Sequence, residues 1–331
     1  MIMPIYNTDK YLNECLEKIK NQSLNNYECI MIDDGSWDYS AVLCDACCAQ
    51  DERFIVIHTK NNGPSISRNM GLLLASGDYF AFSDSDDIPR TQMLEILFFL
   101  LEAGECDAVF AELKPFDSSE SIDDYPVDIQ NEFRRSVLYE RHEIFEKYVE
   151  LTNCNSLFYG YMFTKMFRRQ LFEGLQFPPD ISCYEDVFLM ADIFSRGKRF
   201  ITLDLPVYYY RNNPSSLIRG GQNNVNKKYG YFVFLAHTAD VVYREGYIDE
   251  GNKLMFQLIY SYLEFLWIEG KNNRSKEFIL MIRKTKRLIK NRFIHIVKNP
   301  QITRMYRLCI LVSFVSLRLL NTPLKYLFVG K

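Results

Sequence analysis

The first 115 residues alternate short apolar runs with amphipathic stretches, and that alternation constrains the fold of this 331-residue chain more than any other feature. Strands are expected at 2–6, 27–32 (YECIMI), 54–58 (FIVIH), 78–83 (DYFAFS) and 107–112 (DAVFAE). Tyr11, Leu12, Cys15 and Ile19 share one face at helical spacing, which predicts a helix over 9–20. Further helices are expected over 41–50, from Pro64 to about 75, and over 91–103. Pro64 suits a first helical turn, where its missing N–H would have no intrahelical partner, and Gly77 ends that segment. Strands and helices alternating through short turns build a mostly parallel sheet covered by helices on both faces. Ligands of such sheets sit at the carboxyl ends of the strands. Each unusual polar cluster of this region falls at such an end: Tyr6-Asn7, Asp33-Asp34, residues 58–62, and Asp84-Ser85-Asp86-Asp87. The coincidence points to one site.

Beyond this region the pattern loosens. Residues 116–135 are acidic and irregular and read as an exposed loop, followed by a helix over 143–152. Pro178-Pro179 precede Tyr184-Glu185-Asp186, which opens the apolar helical run VFLMADIF. A strand over 200–210 ends in Arg211-Asn212, and from about 223 onward the pattern is helical to the end. A two-part organisation follows, with an α/β domain over 1–220 and a helical region over 221–331.

Charge divides the chain in the same place. Residues 271–331 carry 15 Lys and Arg against one acid, Glu277, leaving 24 basic and 41 acidic residues in 1–270. A tail that interleaves base with apolar residues in this way (IRKTKRLIKNRFIHIV) suits an anionic membrane surface. The alternatives are a helical subdomain packing on the catalytic domain, or an oligomer contact between copies of the chain. Nucleic acid is a third option, against which the tail's continuous apolar content and the acidic remainder argue. The longest uncharged apolar run, 308–317, is about half of what a membrane span needs. No secretory signal is expected at the N-terminus. Nine irregularly spaced cysteines argue against a disulfide framework and for a reducing compartment; the Cys44–Cys47 spacing lacks the second pair that a zinc site needs. A cytoplasmic protein on the inner face of the cell membrane is the expectation.

The acidic clusters carry the chemistry. In an extended segment Asp84 and Asp86 point the same way, and crowded carboxylates repel unless a cation neutralises them. Hard divalent ions fit, and Mg²⁺ or Mn²⁺ shares its shell with substrate phosphates. The plainer alternative is a capped turn, with Asp87 capping a helix after Ile88-Pro89. Asp33-Asp34-Gly35-Ser36 is a second pair, able to accept hydrogen bonds from a nucleobase or sugar or to shape a β–α turn. Glycine-rich dinucleotide and P-loop motifs are absent, so a metal and a cation such as Arg68 would have to hold any phosphates.

MPIYN, IMIDDGSWD and NNGPSISRNMGLLLASGDYFAFSDSDD, in that order and spacing, resemble family 2 glycosyltransferases of the GT-A fold. TKMFRRQLF, FPPDISCYEDVFLM and PVYYYRNNPSSL resemble the acceptor-side elements of the family's bacterial capsule and exopolysaccharide members. The resemblance spans about residues 1–220. It implies an inverting transfer from a nucleotide-sugar, commonly a UDP-sugar, to a glycan or lipid-linked saccharide, assisted by Mn²⁺ or Mg²⁺. Pro4, Tyr6 and Asp34, with Asp33 beside it, would border the nucleoside, and Arg68 would lie near the uridine diphosphate. Within Asp84-Ser85-Asp86, Asp84 and Ser85 would border the donor, while Asp86, with Asp84, would hold the metal. Glu185-Asp186 matches the family's acidic pair, whose Asp is the general base. Lys165, Arg211 and Ser216 match positions near the diphosphate and the closing loop. Two departures stand out. Only three residues precede Pro4, where the family has a longer first strand, and Ser67 stands where Ala is commoner. The competing readings are a metal-dependent nucleotidyl or phosphoryl transferase, which needs no Glu185-Asp186 base, and a degenerate nucleotide-binding partner of another transferase.

Overall fold

Cys29–Asp33 is the most deeply buried of the early strands, with all five of its residues buried, as expected for a central strand covered on both faces. In the computed structural model it is β2, flanked by β1 (Ile2–Ile5) and β3 (Phe54–His58) in a parallel three-stranded sheet. The structure describes residues 1–118, 120, 122, 124–150, 161–181, 183–213, 224–269 and 275–315. The chain divides into two compact units, Met1–Gly220 and Gly221–Lys331.

In the first unit, helices α1 (Asp9–Lys20), α2 (Ser40–Gln50) and α3 (Pro64–Leu74) alternate with β1, β2 and β3. Next come β4 (Tyr79–Ala81), β5 (Ile88–Pro89), α4 (Met93–Ala103) and β6 (Ala108–Phe116). They are followed by α5 (Ile129–Arg135), β7 (Val137–Glu140), α6 (Arg141–Glu150), β8 (Lys165–Arg168), α7 (Glu185–Arg196) and β9 (Arg199–Arg211). A parallel bridge between Ile2 and Phe82, just past β4, runs beside β1, and the Ser83 N–H donates to the Ile2 carbonyl at 3.1 Å. The second sheet runs β4-β8-β6-β9-β5, with β7 also on β9. The core between these layers includes Met3, Leu12, Ile19, Met31, Leu97 and Val109, all fully buried. Burying one such side chain contributes about 1.5–3 kcal/mol.

Close packing of α3 fixes the site's geometry. A Cβ on Gly71 would lie 2.4 Å from Ile2 Cγ2, so only glycine lets α3 approach β1 this closely. Arg68 sits one turn earlier on the same helix and is carried to the carboxyl edge.

Three expectations change. The 129–135 segment is a helix, not loop, because Asp128 accepts the backbone N–H groups of Gln130 and Asn131 as its N-cap. Asp87 caps no helix: the short strand β5 follows the acidic turn, and α4 begins only at Met93. To the parallel pairs the second half adds antiparallel ones, β4–β8, β6–β8, β5–β9 and β7–β9. Apolar alternation marks a strand without encoding its direction.

The second unit consists of α8 (Asn224–Arg244), α9 (Ile248–Glu269), α10 (Lys276–Asn291), α11 (Phe293–Lys298) and α12 (Arg304–Val315). Phe232 meets Tyr262 edge-on, and Phe265 packs on Phe278. Ser275 caps α10, whose Phe278, Met281, Ile282, Thr285 and Ile289 are buried. The apolar stripe read from the tail is thus used in packing, while Arg283, Lys284, Arg287 and Lys290 face outward. No helix among the described residues is long and apolar enough to cross a membrane.

Candidate active site

The acidic turn after β4 is braced from several sides. The Asp84 N–H donates to the Tyr208 hydroxyl at 2.9 Å, and Thr8 Oγ1 donates to Ser85 Oγ at 2.9 Å. Arg211 donates its backbone N–H to Asp87 Oδ1 and its Nε to the Asp86 carbonyl, both at 2.8 Å. The remaining Arg211 nitrogens reach Ser118 Oγ at 2.9 Å and Glu14 at 2.7 Å, and its guanidinium lies over the Tyr11 and Phe116 rings. Arg211 therefore props the turn, and each of its three guanidinium nitrogens has a partner in the chain.

Asp84 and Asp86 remain partly exposed. Asp84 Oδ1 accepts Arg68 Nη2 at 3.2 Å, and Asp86 Oδ2 accepts Asn213 Nδ2 at 3.0 Å. Burial raises the Asp84 carboxyl pKa; Arg68 opposes the rise and Asp86 adds to it. Asp87 is raised well above the usual carboxylate range by burial, then by Asp86 and Asp84. Negative charge is thus in excess at this turn. Two partly exposed carboxylates with hard oxygen donors fit Mg²⁺ or Mn²⁺, which takes one or two protein carboxylates and completes its shell with phosphate and water. Among the described residues no group of three or more His, Cys, Asp and Glu side chains is placed to hold a metal ion by itself.

The other acidic strand end is differently occupied. Asp33 accepts the Ser36 N–H at 3.1 Å and faces His58 Nδ1 at 2.8 Å. Asp34 accepts the N–H groups of Asn62 and Gly63, both at 2.8 Å, and the Thr59 hydroxyl at 3.3 Å. Both carboxylates are buried and shape the chain over 59–63. Gly35, at φ +76°, is required there: a Cβ would stand 2.9 Å from the Asn61 nitrogen. Half-buried Pro4 and exposed Tyr6 lie at the end of β1 beside them. Asn7, at φ +51°, accepts the Trp37 N–H and donates its own to Ser36 Oγ, which locks the two turns together.

Opposite lies the Glu185-Asp186 pair, opening α7 after Tyr184 in the left-handed region at φ +68°. Arg68 joins the two sides: its Nη1 donates to Glu185 Oε1 at 2.8 Å while Nη2 holds Asp84. Burial opposes the charge on Arg68, but Asp84, Glu185 and Asp186 outweigh it and raise its pKa. Asn69, the next residue, clamps the Phe177 backbone reciprocally at 2.8 and 2.7 Å. The Asp186 carboxyl is pushed up to about 7 by burial, with Glu185 adding and Arg68 opposing. Lys165 is fully buried on β8 and donates to the Tyr161 carbonyl at 2.5 Å. Burial pulls its amine down to about 7, against the pull of Asp186 and Glu112.

Arg68, Asp84, Glu185 and Asp186 therefore form one electrostatic group, with Asp86 and Arg211 on its flank. Asp33, Asp34 and Lys165 are enclosed by the chain. Ser216 lies outside the described residues. Sequence reasoning missed Thr8, Glu14, Asn69, Tyr208 and Asn213. Only Asn69, a polar residue beside Arg68 on a helix, and Asn213, close after Arg211, carried a positional signal.

Comparison with known proteins bears on this arrangement. A model of glycosyl transferase family 2 matches residues 1–175. Over 220 residues the chain is 30% identical to glycosyltransferase GlyG of Streptococcus pneumoniae, spanning 66% of this chain and 72% of GlyG. A match to GlyA of the same organism, 31% identical, spans only 31% of that longer protein. The putative glycosyltransferase EpsH of Bacillus subtilis is 30% identical over 77% of this chain and 70% of its own. The crystal structure of S. aureus TarS 1–349 in complex with UDP-GlcNAc superposes with a TM-score of 0.69 at 16% identity, covering 100% of this chain and 91% of that one. This last likeness concerns the fold. The matched family segment contains the β1–β4 sheet edge, the acidic turn and Arg68, and the chain is a glycosyltransferase of family 2 with the GT-A fold.

Proposed function

We propose that residues 1–220 form a catalytic domain that transfers a sugar, with inversion, from a UDP-sugar to a hydroxyl of a glycan or lipid-linked saccharide in cell-surface polysaccharide synthesis. The observation that carries this reading is Arg68 bonded by one arm to the partly exposed Asp84 of the acidic turn and by the other to Glu185, whose neighbour Asp186 has its carboxyl pushed up to about 7 by burial. Asp186 takes the proton of the acceptor hydroxyl as that oxygen attacks the anomeric carbon. A base poised near neutral pH combines adequate basicity with an ionised population. The bond from that carbon to the diphosphate oxygen breaks, and charge accumulates on the leaving group. Asp86, with Asp84, would hold Mn²⁺ or Mg²⁺, which supplies charge neutralisation for that group. Arg68 adds a fixed positive charge, and Tyr6 and Pro4 border the nucleoside over the turn that Asp33 and Asp34 shape. Lys165 and Arg211 support this surface from within.

The second unit is proposed to hold the enzyme on the inner face of the membrane. Besides its outward basic residues, it exposes Ile279 and Leu280 on α10 and Ile294 and Val297 on α11. Base beside exposed apolar side chains suits an anionic lipid interface. Full-length protein is expected to co-sediment with vesicles containing anionic lipid. Arg283→Glu combined with Arg287→Glu is expected to release it; unchanged sedimentation would refute the attachment.

The catalytic reading is tested by screening UDP-sugars for UDP release with Mn²⁺, in wild type, Asp86→Ala and Asp186→Asn. Acceptor-dependent UDP release that both substitutions suppress supports it. Release of pyrophosphate instead of UDP would place the enzyme among nucleotidyl transferases.

A further inference from the structure

Glu185 and Asp186 are adjacent in sequence, yet their surroundings differ. Glu185 is buried, with Oε1 directed at Arg68 Nη1 at 2.8 Å. The other arm of the same guanidinium, Nη2, holds Asp84 at 3.2 Å. Arg68 has little room to move: its side chain is 10% exposed, and its guanidinium lies 5.7 Å from the centre of the Phe177 ring. That ring is itself fixed, because Asn69 holds the Phe177 backbone by two reciprocal hydrogen bonds. One turn of α3 thus grips the segment leading to α7 twice, once through Asn69 and once through Arg68. A planar fork with one carboxylate on each arm transmits geometry between them, because moving either reorients the other.

We propose that Glu185 is a positioning residue that acts through Arg68, tying the donor-side Asp84 to the turn that carries Asp186, so that donor loading and alignment of the base are coupled. This rests on the glycosyltransferase reading and assigns the acidic pair two different duties. Asp186 meets the acceptor proton. Glu185 exchanges no proton and touches no substrate. A ligand that drew on Asp84 would leave Arg68 to Glu185, and the first turn of α7 would be held by that contact. Loss of the Glu185 charge therefore affects two quantities that a local acid or base would not affect together, donor affinity and kcat.

The test combines calorimetric binding of UDP and GDP, each with Mn²⁺, with kinetics at saturating donor for Glu185→Gln, Arg68→Met and the double variant. Glu185→Gln is expected to weaken diphosphate binding about tenfold, within the 5–150-fold typical of coupled sites. It is also expected to lower kcat while keeping an acid limb in the pH–rate profile, moved to lower pH because Glu185 no longer raises Asp186. Adding Glu185→Gln to Arg68→Met is expected to change binding by less than about twofold, since the two act in series. Wild-type affinity in Glu185→Gln, multiplicative effects in the double variant, or disappearance of the acid limb would each overturn the proposal. If Glu185→Gln does not fold, Glu185→Asp, which keeps the charge but shortens the reach to Arg68 Nη1, is measured in the same way. Joint loss of affinity and kcat supports the coupling, and loss of only one overturns it. Failure of wild type to bind either diphosphate overturns the glycosyltransferase reading, and this inference with it.

Discussion

Two acidic strand ends flank the end of β1, and they differ in what satisfies their carboxylates. At the end of β2, Asp33 and Asp34 are buried and accept hydrogen bonds from the chain itself: three backbone N–H groups, the Thr59 hydroxyl and the His58 ring. After β4, backbone donors serve Asp87 through Arg211, whereas Asp84 and Asp86 face only side chains and solvent. Similar composition therefore yields buried, backbone-bonded carboxylates in one place and partly open ones in the other. A carboxylate ringed by backbone amides is committed to shape, while one left partly open keeps lone pairs for a ligand.

The comparison breaks most directly at Asp86. Asp86→Ala is expected to lower kcat/KM about a thousandfold, the scale of losing metal stabilisation of a leaving group. The same substitution should hardly change Tm, because the side chain is partly exposed; a large Tm loss with retained activity would reverse the contrast. Asp34→Ala should do the opposite. It removes the acceptor of two backbone N–H groups and is expected to destabilise the protein by about 2–4 kcal/mol in urea unfolding. An unchanged midpoint would show that Asp34 belongs to the ligand instead.

A smaller effect concerns pH. Asp186 must be ionised to accept a proton, and its carboxyl is pushed up to about 7. Activity is therefore expected to fall about tenfold per pH unit below 7 and to level off above it. The limb should be absent from the residual rate of Asp186→Asn, although burial also pulls the enclosed Lys165 amine down to about 7. The smallest effect is at His58, whose pKa is raised first by its bond to Asp33, with burial opposing and Asp45 assisting. A raised pKa stabilises the fold fully below about 6.5, and that contribution is lost as pH rises through the folded value. The imidazole is 42% exposed, so screening leaves less than about 1 kcal/mol. His58→Gln should accordingly lower Tm more at pH 5.5 than at pH 8.

Much of the fold was legible because its signals are local. The 54–58 strand and the 9–20 helix fall where apolar spacing places them, and Pro64 opens α3 as its fixed φ requires. The helix at 129–135 was not legible, since one Asp cap within an acidic stretch gives no periodic signal. Strand direction in the second sheet was not legible either, because pairing partners lie far apart in sequence.

For the site, sequence alone determined its residue types and its edge. Strand–helix alternation places Asp34, Arg68 and Asp84-Ser85-Asp86 at strand ends or the following helix, whatever their side chains then do. Only the tertiary structure decided which carboxylates remain open. It enclosed Lys165 at the start of β8, turned Arg211 to prop the acidic turn, and brought Glu185 to Arg68 across 117 positions of chain. The physical reason is that a carboxylate's chemistry depends on the donors that surround it. Backbone N–H groups, buried cations and solvent reach it from distant segments, and no local spacing records them.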